Sequence, residues 1–451
     1  MKSIFLSAAF VLLSVSLLLA QEKKTTGLSL QECVQTAVEK NINVQKARID
    51  QEKSGYKVDE TRSALLPKVN VTGSFQDNLK LPVTVFPGEF VGQPGTTIAA
   101  QLGSNYSTSA SVSLNQVLYS QTALIALKLS KKSESLNILG VEKAREEQAF
   151  EISKLYFLAL TTAKQKKLIE NNIERTKHLS DIIKIQVDNG MGKKVDDERI
   201  SVNLENLYTQ LSNTDAMLEQ QLNLIKYTLE IPLDETIVLT DTADMSLLRS
   251  SPELMSNFSN HIDIQMLESQ KGIDSLNQKM INSGYLPSLS FTGQYGYQGL
   301  RQDFNNYFQS SPENHWYASS SIGLNLSIPI FDGMERRSKS RQAKLDYQKT
   351  TMTLDNTQKR FSVNYRNSLN NYQNQKNNVQ RQVQNTALAE DVYKQTALKY
   401  REGLSSMSDL LQDELGLSNA QANYLNALYN LKEAELKIMS FNGEIKNLYN
   451  K

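Results

Sequence analysis

The order of apolar and polar residues changes period at two places along the chain, and the two places match. Ser63 to Ser74 reads SALLPKVNVTGS and Ser283 to Gln294 reads SGYLPSLSFTGQ, so Leu66, Pro67, Thr72 and Gly73 recur in register as Leu286, Pro287, Thr292 and Gly293. Upstream of each proline the residues suit a helix. Downstream, Val69, Val71, Gly73 and Phe75 alternate with Asn70, Thr72, Ser74 and Gln76, and Leu289, Phe291, Gly293, Tyr295 and Tyr297 alternate with polar or small neighbours. That is the two-residue period of a half-buried strand. Proline is excluded from a helix interior and pushes its predecessor toward extended geometry, so Pro67 and Pro287 mark helix-to-strand junctions. Two such junctions predict a duplicated unit.

Each junction strand is followed by a second alternating segment, which gives four expected strands at about 68–77, 107–118, 289–298 and 317–328. Between the first two, Asn78 to Tyr106 carries Pro82, Pro87 and Pro94 and reads as a long exposed loop without regular structure. After each returning strand comes a long proline-free stretch with apolar residues at alternating three- and four-residue steps. In the first, Ile152, Leu155, Ala159, Thr162, Ile169, Ile173, Ile183 and Val187 form the seam of a coiled coil, with Lys166, Thr176 and Ser180 filling its remaining positions. Glycines at Gly190 and Gly403 mark reversals, beyond which return helices carry matching seams from Leu204 to Thr228 and from Leu417 to Phe441. The expected tunnel helices are about 122–189, 195–229, 333–400 and 406–442, and the expected repeats are 28–231 and 252–443. A helix of some 65 residues is about 100 Å long. Asn356 to Thr386 is rich in Asn, Gln, Lys and Arg but keeps Phe361, Tyr365, Tyr372, Val379 and Val383, a narrow apolar stripe with much polar surface.

Composition narrows the class. The chain has 451 residues, 39% hydrophobic, with Lys+Arg 49 against Asp+Glu 48. The balance gives no electrostatic reason to expect nucleic acid as a partner. A mean hydropathy of -0.43 is low for a single globule of this length. Residues 1–20, with Lys2, the apolar run Ile4 to Leu19 and Ala20, read as a secretory signal peptide, leaving 21–451 as the mature protomer. The lone Cys33 reads as a small buried residue. No later run approaches the 18 or so consecutive apolar residues of a membrane-spanning helix, so any span must be β.

Strands of about ten residues with one serine-rich and one apolar face match outer-membrane strands. Four cannot close a barrel, and open edges are not tolerated in lipid, so several chains must pool their strands. Tyr119, Tyr285 and Phe331 at one end, and Tyr295, Tyr297, Trp316 and Tyr317 at the other, fall where interfacial girdles belong.

With the duplicated LPKVNVTG and LPSLSFTG junctions, the LNQVLYS and LSIPIFDG segments, and YREGLSSMSDLL followed by LGLSNAQANYLNALYNLKEAELKIMSFNGEI, essentially all of the mature chain resembles the TolC-like outer-membrane efflux family. The resemblance implies a mainly α protein with a transmembrane β part: a homotrimer with a twelve-stranded barrel in outer-membrane lipid and an α-helical tunnel in the periplasm. It also implies a periplasmic adaptor and an inner-membrane pump of the resistance-nodulation-division or ABC type as partners, in drug export or type I secretion. The family's periplasmic gate lies at the helix reversals, where its residues match Gly190 and Asp196 on the first and Tyr400, Gly403 and Asp409 on the second. The chain departs from the best-known pattern at Ser405, where a gating arginine stands, and at Gln412, where a second acidic ring falls, although Asp413 lies beside it. Asp196 and Asp409 also suit plain helix capping, since each follows a reversal glycine by a few residues.

No catalytic chemistry is expected. His178, His261 and His315 lack a metal-ligand spacing, no glycine-rich phosphate loop follows a strand, and no cofactor is implied. The rival reading is a secreted periplasmic coiled-coil adaptor or structural protein with no pore.

Overall fold

The computed structural model describes residues 25–241, 258–309 and 314–450. The expected signal peptide and the expected start of the second repeat at 252 lie outside the described residues. In chain order the first half holds β1 (Thr25–Leu28), α1 (Leu30–Lys40), α2 (Ile42–Ser63), β2 (Lys68–Asp77), β3 (Val83–Pro87), β4 (Thr97–Gln101), β5 (Tyr106–Ser120), α3 (Gln121–Asp188), α4 (Lys194–Thr228) and β6 (Thr236–Leu239). The second half holds α5 (Ile262–Ser283), β7 (Ser288–Arg301), β8 (Trp316–Ser327), α6 (Glu335–Arg401) and α7 (Met407–Asn442). They form two compact units, one of residues 52–136 and 269–351 and the other of the remaining described residues.

The first unit is built on one antiparallel sheet in the order β2-β5-β7-β8. Its register sorts the side chains cleanly. Val69 faces Leu114, Gly293 and Ile322 in one row, and Val71 faces Val112 and Tyr295 in the next. Alternating with those rows, Asn70 faces Ser113, Gln294 and Ser321, and Thr72 faces Ser111, Gly296 and Ser319. One face is therefore aliphatic and aromatic, the other hydroxyl and amide. Hydroxyls pair across strands on the polar face, Thr72 with Ser111 at 2.9 Å and Ser74 with Ser109 at 2.8 Å. The aliphatic face is bare within the protomer, with Val71 76% and Ile322 84% exposed.

Two expectations change here. The segment from Asn78 to Tyr106 is not structureless: β3 and β4 pair as an antiparallel hairpin within it, Val83 opposite Gln101 through Pro87 opposite Thr97. Of the prolines that mark this segment as a loop, Pro82 stands just before β3, Pro87 closes it, and Pro94 lies in the connection to β4, so none falls in the interior of a strand. Tyr317 faces Gln298 on the polar face, whereas Tyr295, Tyr297 and Trp316 stand on the apolar one. A one-residue step reverses the facing of a strand side chain, so Tyr317 leaves the girdle. Beside these rings the short helical turn Phe304–Tyr307 packs Phe304 and Tyr307 against Phe75, and Arg301 is held between the rings of Tyr307 and Trp316.

The second unit is helical, with a small parallel pair of β1 with β6 at one end. Around that pair Cys33, Val34 and Ala37 of α1 pack with Ile152, Tyr156 and Phe157 of α3, Ile225 of α4 and Leu436 of α7. The Tyr156 hydroxyl donates to the Leu28 carbonyl at 3.1 Å and accepts from the Asp241 amide at 3.3 Å. Ser29 and Glu32 form a capping box that starts α1. Cys33 is fully buried, and burial pushes its thiol up to about 12, with Glu32 and Asp241 adding to the shift. Further along, the coiled-coil seam closes as Ile169 and Ile173 meet Leu207. Lys166, a polar residue in that seam, reaches Asp215 on α4 at 2.7 Å. On α6, Phe361 and Tyr365 are buried against Phe258, Ile264 and Ile438, but Val383 is exposed.

Candidate functional site

The two helix reversals are the same device twice. At the end of α3 the Gly190 amide donates to the Val187 carbonyl at 3.0 Å and the Met191 amide to that of Gln186 at 2.8 Å. At the end of α6 the Gly403 amide donates to Tyr400 at 3.0 Å and the Leu404 amide to Lys399 at 2.8 Å. This paired five-to-two and six-to-one bonding needs a left-handed residue, and Gly190 and Gly403 supply it at φ +70 and φ +73. The open space around both glycines leaves backbone conformation as the reason for the residue type.

Beyond the turns the two return helices start differently. α7 begins with a capping box: the Asp409 amide donates to the Ser406 hydroxyl at 3.2 Å, and the Ser406 amide donates back to the Asp409 carboxylate at 3.0 Å. The Ser406 hydroxyl is 2.7 Å from the same oxygen and the Ser405 hydroxyl 3.3 Å. These bonds, those from Ser406 first, hold the Asp409 carboxyl below its usual range. The carboxylate stays exposed to solvent. α4 is preceded by Lys193 at the N-cap position, which supplies no side-chain cap. Asp196 lies in its first turn with Arg199 at 3.9 Å, and its charge also acts on Tyr400, whose phenol is pushed up by burial first and by Asp196 second.

All four tip helices meet below these residues. Ile183 of α3, Ile200 of α4 and Met407 of α7 are buried together, with Tyr400 of α6 packed against them. A groove of about 820 Å³ beside this core is lined by Asp196, Tyr400, Gly403 and Ser405 as well as Arg175 and Tyr393. The structure thus gathers Asp196, Tyr400, Gly403 and Ser405 around one groove. Asp409 sits beside it, bonded to Ser405, and Gly190 closes the adjoining turn. Pro67 and Pro287 lie in the strand unit, immediately before β2 and β7.

One polar cluster at this end escapes sequence reading. Glu414 of α7 is 5% exposed and accepts from the Thr176 hydroxyl at 2.8 Å and the Asn203 amide at 3.3 Å, so a single carboxylate ties α7 to both α3 and α4. Burial pushes its carboxyl up, against the lowering effect of Thr176, Arg175 and Asn203. The Arg175 guanidinium stands over the Tyr393 ring at 5.4 Å. The signal was present: stepping back from Leu417 by three, four and three residues gives Glu414, Leu410 and Met407, all buried, so the seam contains a carboxylate. Among the described residues no group of His, Cys, Asp and Glu could hold a metal ion. His261 packs on Phe361 with ring centroids 4.4 Å apart.

A bare apolar sheet face, a serine-lined opposite face and paired helical hairpins with matched reversals leave a narrow choice of protein. The profile of the family described as outer membrane efflux protein matches residues 33–228 and 275–444. The chain belongs to that family. Among curated relatives, outer membrane protein TolC of Escherichia coli (strain K12) is 21% identical over 435 residues, 92% of this chain and 82% of that protein. Among solved structures, the Campylobacter jejuni CmeC outer membrane channel matches with a TM-score of 0.72 at 17% identity, over 96% of this chain and 94% of that one. The Neisseria gonorrhoeae MtrE outer membrane channel, in its open state, matches at 0.70 and 16%, over 94% and 91%.

As an outer membrane efflux protein, the chain is an outer-membrane channel of a tripartite export system, mainly α-helical, with a transmembrane β part and its helical part in the periplasm. Proteins of this type are trimers that work with adaptor proteins and inner-membrane pumps. The relatives are channels rather than enzymes. The rival reading of a coiled-coil protein with no pore finds no support.

Proposed function

We propose that the protein is a passive duct whose periplasmic end is gated at the two helix reversals, with Asp409 and Asp196 as its charged constriction and Tyr400, Ser405, Gly190 and Gly403 as the frame that holds them. The duct takes cargo from a pump of the resistance-nodulation-division or ABC type through an adaptor that docks at this end. Its strands sit in outer-membrane lipid and the segments between β2 and β5 and between β7 and β8 face outward. The tandem repeats 28–231 and 252–443 give the two kinds of reversal.

The observation that carries the gate is the state of Asp409. Capping and gating look like rivals in the sequence, but the carboxylate accepts its capping bonds while remaining exposed and ionised. One side chain can then fix the start of α7 and present a negative charge, and three copies about a threefold axis make an acidic ring of the kind that selects cations in other pores. Asp409→Asn separates the two roles, because an amide oxygen still accepts from the Ser406 amide whereas the charge is gone. Reversal potentials of the trimer in planar bilayers should show reduced cation preference for the variant and weaker block by multivalent cations, with thermal stability little altered. Unchanged ion selectivity would leave Asp409 as a helix cap only.

A further inference from the structure

The polar face of the four-stranded sheet is almost free of charge. Ser, Thr, Asn, Gln and Gly dominate it along all four strands, and Lys68 is the one charged residue on it. Lys68 faces Asn115, which faces Thr292, so the register assigns it to the same face as the paired hydroxyls of Thr72 and Ser111. It is exposed and makes no ion pair among the described residues. Of the charges that begin α6, Arg336 is matched with Asp332 and Lys339 with Glu335, while Arg337 makes no ion pair among the described residues but belongs to the helix rather than to the strand wall. At the equivalent position of the other junction stands Ser288. Neither packing nor the junction turn therefore calls for a cation here.

We infer that Lys68 forms a threefold ring of positive charge at the periplasmic mouth of the barrel and makes that mouth favour anionic solutes, a selectivity element separate from the helical tip. The inference rests on the closed trimeric barrel. In outer-membrane strands the apolar face meets lipid and the other lines the bore, which places Lys68 in the lumen at the first residue of its strand. Twelve strands at the usual spacing and tilt put the backbone about 12 Å from the axis. A lysine side chain reaches roughly halfway across that radius, so a solute in the bore passes within about one Debye length of each ammonium at physiological salt. The rest of this strand face carries mainly hydroxyls and amides, and among the described residues no carboxylate stands on it to cancel the field. The barrel section then sorts solutes by charge at one level and is neutral above it.

The test is local, so that it does not depend on whether the helical tip is open. Ser113 lies on the same face, diagonal to Lys68, and a Ser113→Cys variant puts a thiol in the lumen roughly 7–8 Å from Lys68 between Cα atoms. Modification rates of that thiol by a small anionic and a small cationic methanethiosulfonate are compared with and without Lys68→Gln, in detergent-purified trimers. The ratio of anionic to cationic rate should fall about fourfold on removal of Lys68 at 0.1 M salt, about twofold from each reagent, and the difference should largely vanish at 1 M salt. A cysteine at exposed Gln93, in the hairpin segment, should show no such change. An unaltered ratio at Ser113→Cys in an intact trimer overturns the inference. If the strands enclose no bore, a bulky polyethylene glycol maleimide will label Ser113→Cys as fast as it labels Gln93→Cys, an outcome that rejects the barrel rather than the role of Lys68.

Discussion

At the scale of single residues, the helix ends hold both strain and function. α4 and α7 finish with the same bonded turn as the tip reversals: the Glu230 and Ile231 amides donate to Tyr227 and Lys226, and the Gly443 and Glu444 amides to Ser440 and Met439. The left-handed position is glycine in α7 but glutamate in α4, where Glu230 is held at φ 56. Relief of that conformation outweighs the added freedom of glycine in the unfolded chain, so Glu230→Gly should stabilise the protomer by roughly 0.5–1 kcal/mol. Gly443→Ala should do the opposite, since its Cβ would also come within 3.2 Å of the Asn260 carbonyl. Thermal unfolding in detergent, followed by circular dichroism, reads both. Glu414 gives a different signature. Its carboxyl is raised by burial, so the folded state binds a proton that the unfolded state releases as pH climbs through the ordinary carboxylate range. Stability therefore falls as pH rises from the unfolded pKa to the folded one, and the penalty is fully present above that. Glu414→Gln can keep both bonds, accepting from Asn203 and donating to the Thr176 hydroxyl, and should be more stable than wild type at neutral pH while losing this pH dependence. Glu414→Leu strands Thr176 and Asn203 and should cost about 1–3 kcal/mol. Equal pH profiles for wild type and Glu414→Gln would refute the buried-charge account.

At the scale of elements, the strands and long helices were legible because each obeys one period over many residues. The expected strand at about 68–77 is Lys68–Asp77, and the expected helix at about 122–189 is Gln121–Asp188. What was illegible is short or non-local. β1 and β6 are four residues each and more than 200 apart in sequence, so neither carries a countable period and only the folded core brings them together. The hairpin of β3 and β4 was obscured by its prolines. Glu414 was missed for a different reason: a carboxylate in a seam reads as surface until its partners, Thr176 and Asn203 on other helices, are known. The facing of individual strand residues is the part of the element scale that function depends on, and adjacent residues of β8 test it. Ile322 stands on the bare apolar face at 84% exposure and Ser321 on the hydroxyl face. Ile322→Lys puts a charge against the hydrocarbon and should cost about 2–4 kcal/mol near the bilayer midplane, lowering the yield of folded protein in outer-membrane fractions. Ser321→Lys faces water and should assemble normally. The reverse pattern would mean that the sheet is turned the other way.

At the scale of the whole molecule, strand count and strand direction together fix the assembly. Among the described residues the protomer has four transmembrane strands in the order β2-β5-β7-β8, and each neighbouring pair is antiparallel. β2 and β8 are left with one free edge each, and a row of unpaired amides and carbonyls in hydrocarbon costs several kcal/mol per group. Because an even number of strands alternates in direction, β8 of one chain runs antiparallel to β2 of the next, so copies can close on themselves with no unlike seam. Two copies would give eight strands, a barrel just wide enough for its own side chains to fill, which leaves no duct. Three copies leave a water-filled bore inside a wall whose hydroxyl face is already free of core packing. The prediction is a trimer that does not dissociate to folded protomers in mild detergent. Sedimentation equilibrium with the detergent density-matched should return three times the mass of the mature chain, unchanged on dilution. A stable monodisperse monomer would sink the pooled barrel, and a dimer would leave the barrel but remove the duct, because the side chains of eight strands would occupy the space through which cargo has to pass.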